Sequence, residues 1–127
     1  LKNLVLKNRS YRRFDETVVI DQTIFASGLI WHGDRLPEPT ATVEDILSTD
    51  PAVNRRIFPT LRWAAYLTDW PGPREGERPT AYIIMLGDKT ISQSFGCDHG
   101  IAAQSILLGA TEAGFGGCII ATIDRPA

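Results

Sequence analysis

The hydrophobic pattern at the start of the chain predicts helical segments followed by an irregular stretch. Three apolar residues at the beginning have helical spacing and indicate the last turns of an amphipathic helix: Leu1, Leu4 and Val5. The residues from Val18 to Gln22 indicate the lead-in to a second helix. From Thr23 to Asp45 the pattern keeps neither a helical nor a strand period, and its two prolines exclude a regular element there. We therefore expect residues 23–45 to be irregular.

A regular pattern returns at Ile46. Asp50 followed by Pro51 is typical of an N-cap with proline at the first helical position. Five apolar residues then continue a helical stripe: Ile57, Leu61, Ala64, Ala65 and Leu67. Pro59 lies inside this span, so the helix is expected to kink or restart there.

Two short apolar runs further along the chain predict buried strands with a helix between them. The runs are AYIIML at 81–86 and CIIATI at 118–123. Asp98 is expected to cap the intervening helix, which should end near Gly114. A glycine-rich stretch follows this helix and precedes the second strand: Gly114, Gly116 and Gly117. Phosphate-binding glycines follow a strand and precede a helix, so these glycines instead predict a helix C-cap and a tight turn. A strand, a helix and a strand in this order predict a mixed α/β architecture in one domain.

Composition narrows the class of protein. The chain has 127 residues, 43% hydrophobic and 22% charged, with a net charge of −2, so a single globular domain is expected and a nucleic-acid partner is not. No apolar run reaches the ~20 residues that span a bilayer, and the start lacks the apolar stretch of a signal peptide. A cytoplasmic protein without a membrane partner is the resulting expectation. The two cysteines predict no disulfide framework and no metal site, and are expected to be buried or half-buried thiols.

The strongest candidate for chemistry is a basic cluster near the N-terminus. Arg9 and Arg12 flank Ser10, and planar guanidinium groups beside a hydroxyl can hold a phosphate and the carbonyl groups of a flavin. The alternative is a solvated basic turn, because a four-residue motif is a weak signal alone.

Other polar and aromatic residues carry weaker signals. Neither His32 nor His99 has a second ligand at metal spacing. Arg62 could reach a nucleotide phosphate, but a position on a solvated helix face is favoured. Three aromatic residues could stack on a substrate, but their helical spacing favours packing in a core or a dimer interface: Trp63, Tyr66 and Trp70.

Five segments, in the same order, resemble the nitroreductase family of FMN-dependent oxidoreductases. The first contains Arg9, Ser10, Arg12 and Phe14 and is similar to that family's R-S-x-R-x-F motif. The other four are Leu61 to Leu67, Gly76 to Pro79, Asp98 to Gln104 and Gly114 to Cys118. The resemblance extends over 1–22 and 46–127, about four fifths of the chain.

This resemblance implies an α+β nitroreductase-like fold, with a mixed sheet flanked by helices, and a homodimer with FMN at the subunit interface. A hydride would pass from NAD(P)H to the flavin and then to a nitroaromatic or quinone-like acceptor. By position, Arg9, Ser10 and Arg12 would hold FMN, and the backbone at Ile120, Ala121 and Thr122 would face the flavin ring, where an amide N–H can hydrogen-bond N5. A plain core strand is the alternative for the second group. The flavin performs the redox chemistry, so no catalytic acid, base or metal ligand is expected among the side chains.

The sequence departs from the family pattern in two places. Between Gln22 and Ile46 the family has an N-x-Q-P signature whose amides contact the flavin ring, and this signature is absent. The interval has the length that the family would use, and one choice of codons for Glu38 to Ala41, shifted by one base, encodes Asn-Arg-Gln-Pro. Our hypothesis is that residues 23–45 are an out-of-frame translation of the missing segment, which the nucleotide sequence can test. The family also continues beyond Pro126, so a truncated relative with weakened FMN binding is expected.

Three functions follow from these observations. The first is an FMN-dependent oxidoreductase. The second is a non-catalytic remnant of the same family, or a flavin-binding or interaction module. The third keeps the fold with another flavin-dependent reaction, such as reductive dehalogenation or flavin fragmentation.

Overall fold

A computed structural model describes residues 2–21, 43–64 and 66–124. Its helices are α1 (Lys2–Lys7), α2 (Pro51–Ile57) and α3 (Asp98–Glu112), and a 3-10 turn at Phe58–Thr60 follows α2. Its strands are β1 (Val43–Ser48) and β2 (Tyr82–Gly87). Helices and a small sheet together make an α+β protein. The described residues contain no helix with the length and apolar character needed to cross a membrane.

The sheet is a two-stranded antiparallel pair, in register from Val43 opposite Gly87 to Ser48 opposite Tyr82. Strand β2 confirms the strand predicted at 81–86 to within one residue at each end, but the strand is half-buried to exposed and not buried as predicted, because a two-stranded sheet leaves much of its surface uncovered. Strand β1 begins before Ile46, where the sequence predicts that order returns, so residues 43–45 of the expected irregular stretch are paired in the sheet. The rest of that stretch lies outside the described residues.

The junction between β1 and α2 is built by local capping and one buried amide. The Asp50 carboxylate accepts a hydrogen bond of 2.6 Å from the backbone N–H of Ala52, which confirms Asp50 as the N-cap. Asn54 is buried in α2, accepts a hydrogen bond of 2.7 Å from the Ser48 hydroxyl, and donates one of 2.8 Å to the Thr80 carbonyl. Thr80 lies two residues before β2, and Ser48 pairs with Tyr82, so this amide joins the helix to both strands at the same end of the sheet.

Helix α3 supplies most of the small buried core. Ala103, Ile106 and Ala110 are buried on one face at helical spacing, and α1 lies against this helix. The C-terminus of α3 is a Schellman motif: Gly114, at φ +87°, donates to the Thr111 carbonyl, and Phe115 donates to Ala110. The predicted C-cap at Gly114 is therefore confirmed, and the chain turns sharply there.

Two predictions about helices are wrong. The helix that begins at Pro51 does not continue to Leu67, because Pro59 cannot donate to the helical ladder and the chain becomes extended at Leu61 after the 3-10 turn. Val18 to Asp21 are the described part of the predicted lead-in to a second helix and are not themselves helical; the rest of that prediction lies outside the described residues. Asp98 is the first residue of α3 and not its cap; Cys97 holds that position without a side-chain hydrogen bond, and Asp98 instead places its negative charge in the first turn.

Candidate functional site

The basic cluster follows α1 and runs beside the segment that leaves α3. Ser10 pairs with Gly117 in an isolated parallel bridge, and the Tyr11 backbone N–H donates a hydrogen bond of 3.0 Å to the Gly117 carbonyl. The Tyr11 ring lies over Gly116, where a Cβ atom would come within 2.5 Å of it. The glycines after α3 therefore allow the N-terminal segment to approach closely.

The predicted buried strand at 118–123 is not formed. In the described part of the chain, this segment is held by the bridge at Gly117 and by a second, antiparallel bridge between Leu61 and Ile123. Ile119 is 58% exposed and Ile123 is 44% exposed. An apolar run with isolated pairings at its two ends becomes an extended surface segment, which we call the pinned segment (residues 117–124).

A cavity of about 230 Å³ lies between the pinned segment, the basic cluster and the loop at 62–66. It brings Arg12 together with Ile120, Ala121 and Thr122, which lie more than a hundred residues away along the chain. The described residues that line it are Arg12, Arg62, Trp63, Ala64, Tyr66, Cys118, Ile119, Ile120, Ala121 and Thr122. Four of the six residues predicted to contact a cofactor thus share one pocket.

The other two predicted contacts are placed differently. Arg9 is exposed and does not line the cavity. Ser10 is also exposed, and its backbone is paired with Gly117. Within one copy of the chain, the basic cluster therefore presents a single guanidinium group, that of Arg12, to the cavity near Ile120 to Thr122.

Arg12 is half-buried and has no ion-pair partner among the described residues. Its guanidinium carbon lies 5.4 Å from the centre of the Tyr66 ring, and its Nη1 donates to the Ser10 carbonyl at 3.3 Å. Both contacts orient the guanidinium without neutralising it, so its charge is available to an anion.

Cys118 lines the same cavity but does not supply a nucleophile. Burial raises the pKa of the Cys118 thiol, and the neighbouring Arg12 charge opposes this shift only in part. The thiol is therefore neutral near pH 7. Cys97 is exposed, which contradicts the expectation that both thiols are buried or half-buried.

The aromatic residues of the loop do not share one face, because this loop is not a helix. Trp63 is only 6% exposed and packs against Phe14 and Phe58, with ring centres 6.4 and 5.8 Å away. Tyr66 is 70% exposed at the cavity. Trp70 is half-buried and lines a second, open cavity of about 250 Å³ with Arg12, Arg13 and Leu67.

Sequence reasoning placed Arg62 on a solvated helix face, and the structure places it elsewhere. Arg62 lines the cavity and forms a two-point ion pair with Asp124, with its Nε 2.9 Å from Oδ1 and its Nη2 2.8 Å from Oδ2. The signal that could have drawn attention to Arg62 is its position inside one of the segments that resemble the nitroreductase family. His99 is exposed on α3, and His32 lies outside the described residues.

No protein-family model matches this chain, and neither does any curated protein.

Proposed function

We propose that this chain is an FMN-dependent oxidoreductase with a nitroreductase-like fold, which transfers a hydride from NAD(P)H through the flavin to a nitroaromatic or quinone-like acceptor. The observation that carries the proposal is the cavity shared by Arg12 and the backbone of Ile120 to Thr122. The sequence resemblance assigns both groups of residues to flavin binding. They are more than a hundred residues apart in the sequence, so their proximity in the cavity is not a consequence of chain connectivity.

Arg12 has the chemistry needed for the anionic part of FMN. Its guanidinium is half-buried, oriented by Tyr66 and unpaired with any described carboxylate. A charge-assisted hydrogen bond from arginine to phosphate is shorter and stronger than one between neutral groups. Arg9, which lies outside this cavity, would contribute to the local positive potential.

The pinned segment has the chemistry needed for the flavin ring. Within the described residues, the backbone N–H groups of Ile120, Ala121 and Thr122 donate no hydrogen bond to the protein. Three consecutive amides beside a cavity, unpaired with any described residue, would suit a planar acceptor such as the N5 edge of the ring. The neighbouring Trp63 and Tyr66 add apolar and aromatic surface to the same cavity.

The size of the cavity supports a shared site. Its volume of about 230 Å³ is below the ~300–1,000 Å³ that is usual for small-molecule pockets. One copy of the chain would therefore enclose only part of FMN, and a second copy would cover the rest. Exposed side chains at the rim, Tyr66 and Ile119 among them, would be buried in such a homodimer.

Bound FMN would supply the two-electron chemistry, accepting a hydride from NAD(P)H and passing it to the acceptor. The protein's part is to bind the phosphate at Arg12, orient the ring against the amides of the pinned segment, and leave one face of the ring open to the two substrates. The neutral Cys118 thiol avoids a second negative charge beside the phosphate.

The second candidate function, flavin binding without turnover, is favoured by the small core. Only four hydrophobic side chains of the described residues are buried: Trp63, Ala103, Ile106 and Ala110. A site supported by so few buried side chains holds a cofactor less rigidly, and catalysis needs precise placement.

Flavin titration tests the proposal. The purified protein, stripped of any bound flavin, is titrated with FMN while the flavin fluorescence and visible absorbance are recorded. We expect saturable binding, bleaching of the bound flavin by NAD(P)H without oxygen, and recovery of its colour on addition of a nitroaromatic or quinone. Binding without bleaching or recovery would favour the second candidate, and no binding would refute both.

Charge reversal identifies the phosphate contact. Arg12→Glu is expected to weaken FMN binding by about tenfold or more, since a hydrogen bond to a charged group contributes about 1.5–3 kcal/mol. Arg9→Glu should have a smaller effect, because Arg9 does not line the cavity. Lys89→Glu, at an exposed position away from the cavity, makes the same change in net charge and is the control. Equal affinities for Arg12→Glu and Lys89→Glu would contradict the assignment of Arg12.

A further inference from the structure

The end of the pinned segment is joined to the loop after α2 by four polar contacts. The Arg62 backbone N–H donates to the Thr122 carbonyl at 3.1 Å, and the Asp124 N–H donates to the Thr60 carbonyl at 2.8 Å. The side chains of Arg62 and Asp124 add two parallel contacts, Nε to Oδ1 at 2.9 Å and Nη2 to Oδ2 at 2.8 Å. A guanidinium that meets a carboxylate with two nitrogens fixes the relative orientation of the two groups.

This ion pair is a directional contact, although it is exposed. The side chain of Arg62 is 63% exposed and that of Asp124 is 51% exposed. An ion pair with one N–O contact at such exposure contributes little to the free energy of unfolding, because water and salt screen it. A pair in which two guanidinium nitrogens meet two carboxylate oxygens contributes more. The two backbone hydrogen bonds beside it also hold the two residues close to each other.

Between its two ends, the pinned segment has little else to orient it. The bridge between Ser10 and Gly117 anchors one end, and the bridge between Leu61 and Ile123 anchors the other. Across 118–121, the described residues form no backbone hydrogen bond to the rest of the protein. The direction in which the amides of Ile120 to Thr122 point is therefore set by the two anchors, and the second anchor contains Arg62 and Asp124.

We propose that Arg62 and Asp124 are positioning residues for cofactor binding: their ion pair holds the pinned segment so that the amides of Ile120 to Thr122 face the cavity. This inference rests on the proposed function, since those amides are assigned to the flavin ring. It gives Arg62 an indirect role, through the backbone, although its side chain also lines the cavity.

Exchange of the charges separates this indirect role from direct binding of a ligand by Arg62. Arg62→Gln and Asp124→Asn each remove one charge, the double substitution removes both, and the swap of Arg62→Asp with Asp124→Arg restores a pair in the opposite direction. Glu77→Gln is the control, because it removes the other ion pair among the described residues, whose N–O distance to Arg13 is 3.7 Å.

The first measurement is hydrogen exchange of the two hydrogen-bonded amides at this anchor, those of Arg62 and Asp124, in protein without flavin. We expect Arg62→Gln and Asp124→Asn each to increase exchange there severalfold, with no larger effect in the double variant and a substantial return toward the wild-type rate in the swap. High salt should reduce the difference between wild type and the single variants. Exchange rates in Arg62→Gln that equal those of Glu77→Gln would show that the ion pair does not hold the segment.

The second measurement is the affinity for FMN and the absorbance spectrum of the bound flavin. Each single variant is expected to weaken binding by about three- to tenfold and to shift the spectrum, and the swap should restore both. A swap that restores slow exchange but not binding would mean that Arg62 contacts the ligand directly, which overturns the positioning role. If wild type binds FMN and all variants show the same affinity and spectrum as wild type, this inference is refuted and the proposed function is not. If wild type does not bind FMN, the proposed function is refuted as well.

Discussion

Gly72 offers a sharp test of the packing beneath the cavity, because a methyl group there would meet Trp63. Gly72 is buried at φ +109°, and a Cβ atom at this position would lie 2.8 Å from Cδ1 of Trp63 and 3.0 Å from its Cγ. Trp63 cannot easily move away, since it is 6% exposed and packs on Phe14 and Phe58. Gly72→Ala therefore combines backbone strain with steric overlap.

The loss of stability expected for Gly72→Ala is estimated by comparison with a substitution at a second glycine. Gly76 also has a positive φ, +84°, but a Cβ atom there would meet nothing within 4 Å. Gly76→Ala should then lower the free energy of unfolding only through backbone strain, by about 1–3 kcal/mol. Gly72→Ala should cost an additional ~1–3 kcal/mol for overpacking. The loss of chain entropy in the unfolded state is common to both changes and cancels in the comparison.

Urea unfolding followed by far-UV circular dichroism measures the two free energies. The expected result is a lower midpoint for Gly72→Ala than for Gly76→Ala, with similar slopes against urea concentration. FMN binding should also weaken in Gly72→Ala, because Trp63 lines the cavity. Equal stabilities for the two variants would refute the reasoning, since they would show that Trp63 does not pack against Gly72.

Three further predictions concern stability. Asp50→Ala should lower the free energy of unfolding by about 1 kcal/mol, because α2 loses its N-cap, and thermal unfolding that leaves the midpoint unchanged would contradict this. Asn54→Ala should cost about 1–3 kcal/mol in urea unfolding, since it leaves the buried Ser48 hydroxyl and the Thr80 carbonyl unpaired; Ser48→Ala, which removes one of the two bonds, should cost less. Burial raises the pKa of Tyr82 to about 12 from 10.0, so the unfolded chain ionises first and stability present below pH 10 is lost as the pH rises toward 12. Tyr82→Phe should show a weaker loss over this range, and an identical pH dependence in the variant would rule out Tyr82 as its source.

The elements that were predicted correctly depend on neighbours along the chain. Asp50 caps α2 through N–H groups two and three residues away, and Gly114 ends α3 because glycine adopts a positive φ without steric cost. Strand β2 was predicted from a continuous apolar run between turn residues. Each of these signals is complete within a few residues, so the amino-acid order alone specifies it.

The candidate site depends on contacts that span most of the chain. The run at 118–123 has the composition of a buried strand, but its described pairings at Gly117 and Ile123 make it an exposed segment beside Arg12. The pattern also predicted one helical face for Trp63 and Tyr66, whereas the chain leaves the helix at Pro59 and separates a buried indole from an exposed phenol. Local periodicity carries no information about which distant backbone a segment meets, because that choice is made by packing free energies summed over the folded chain.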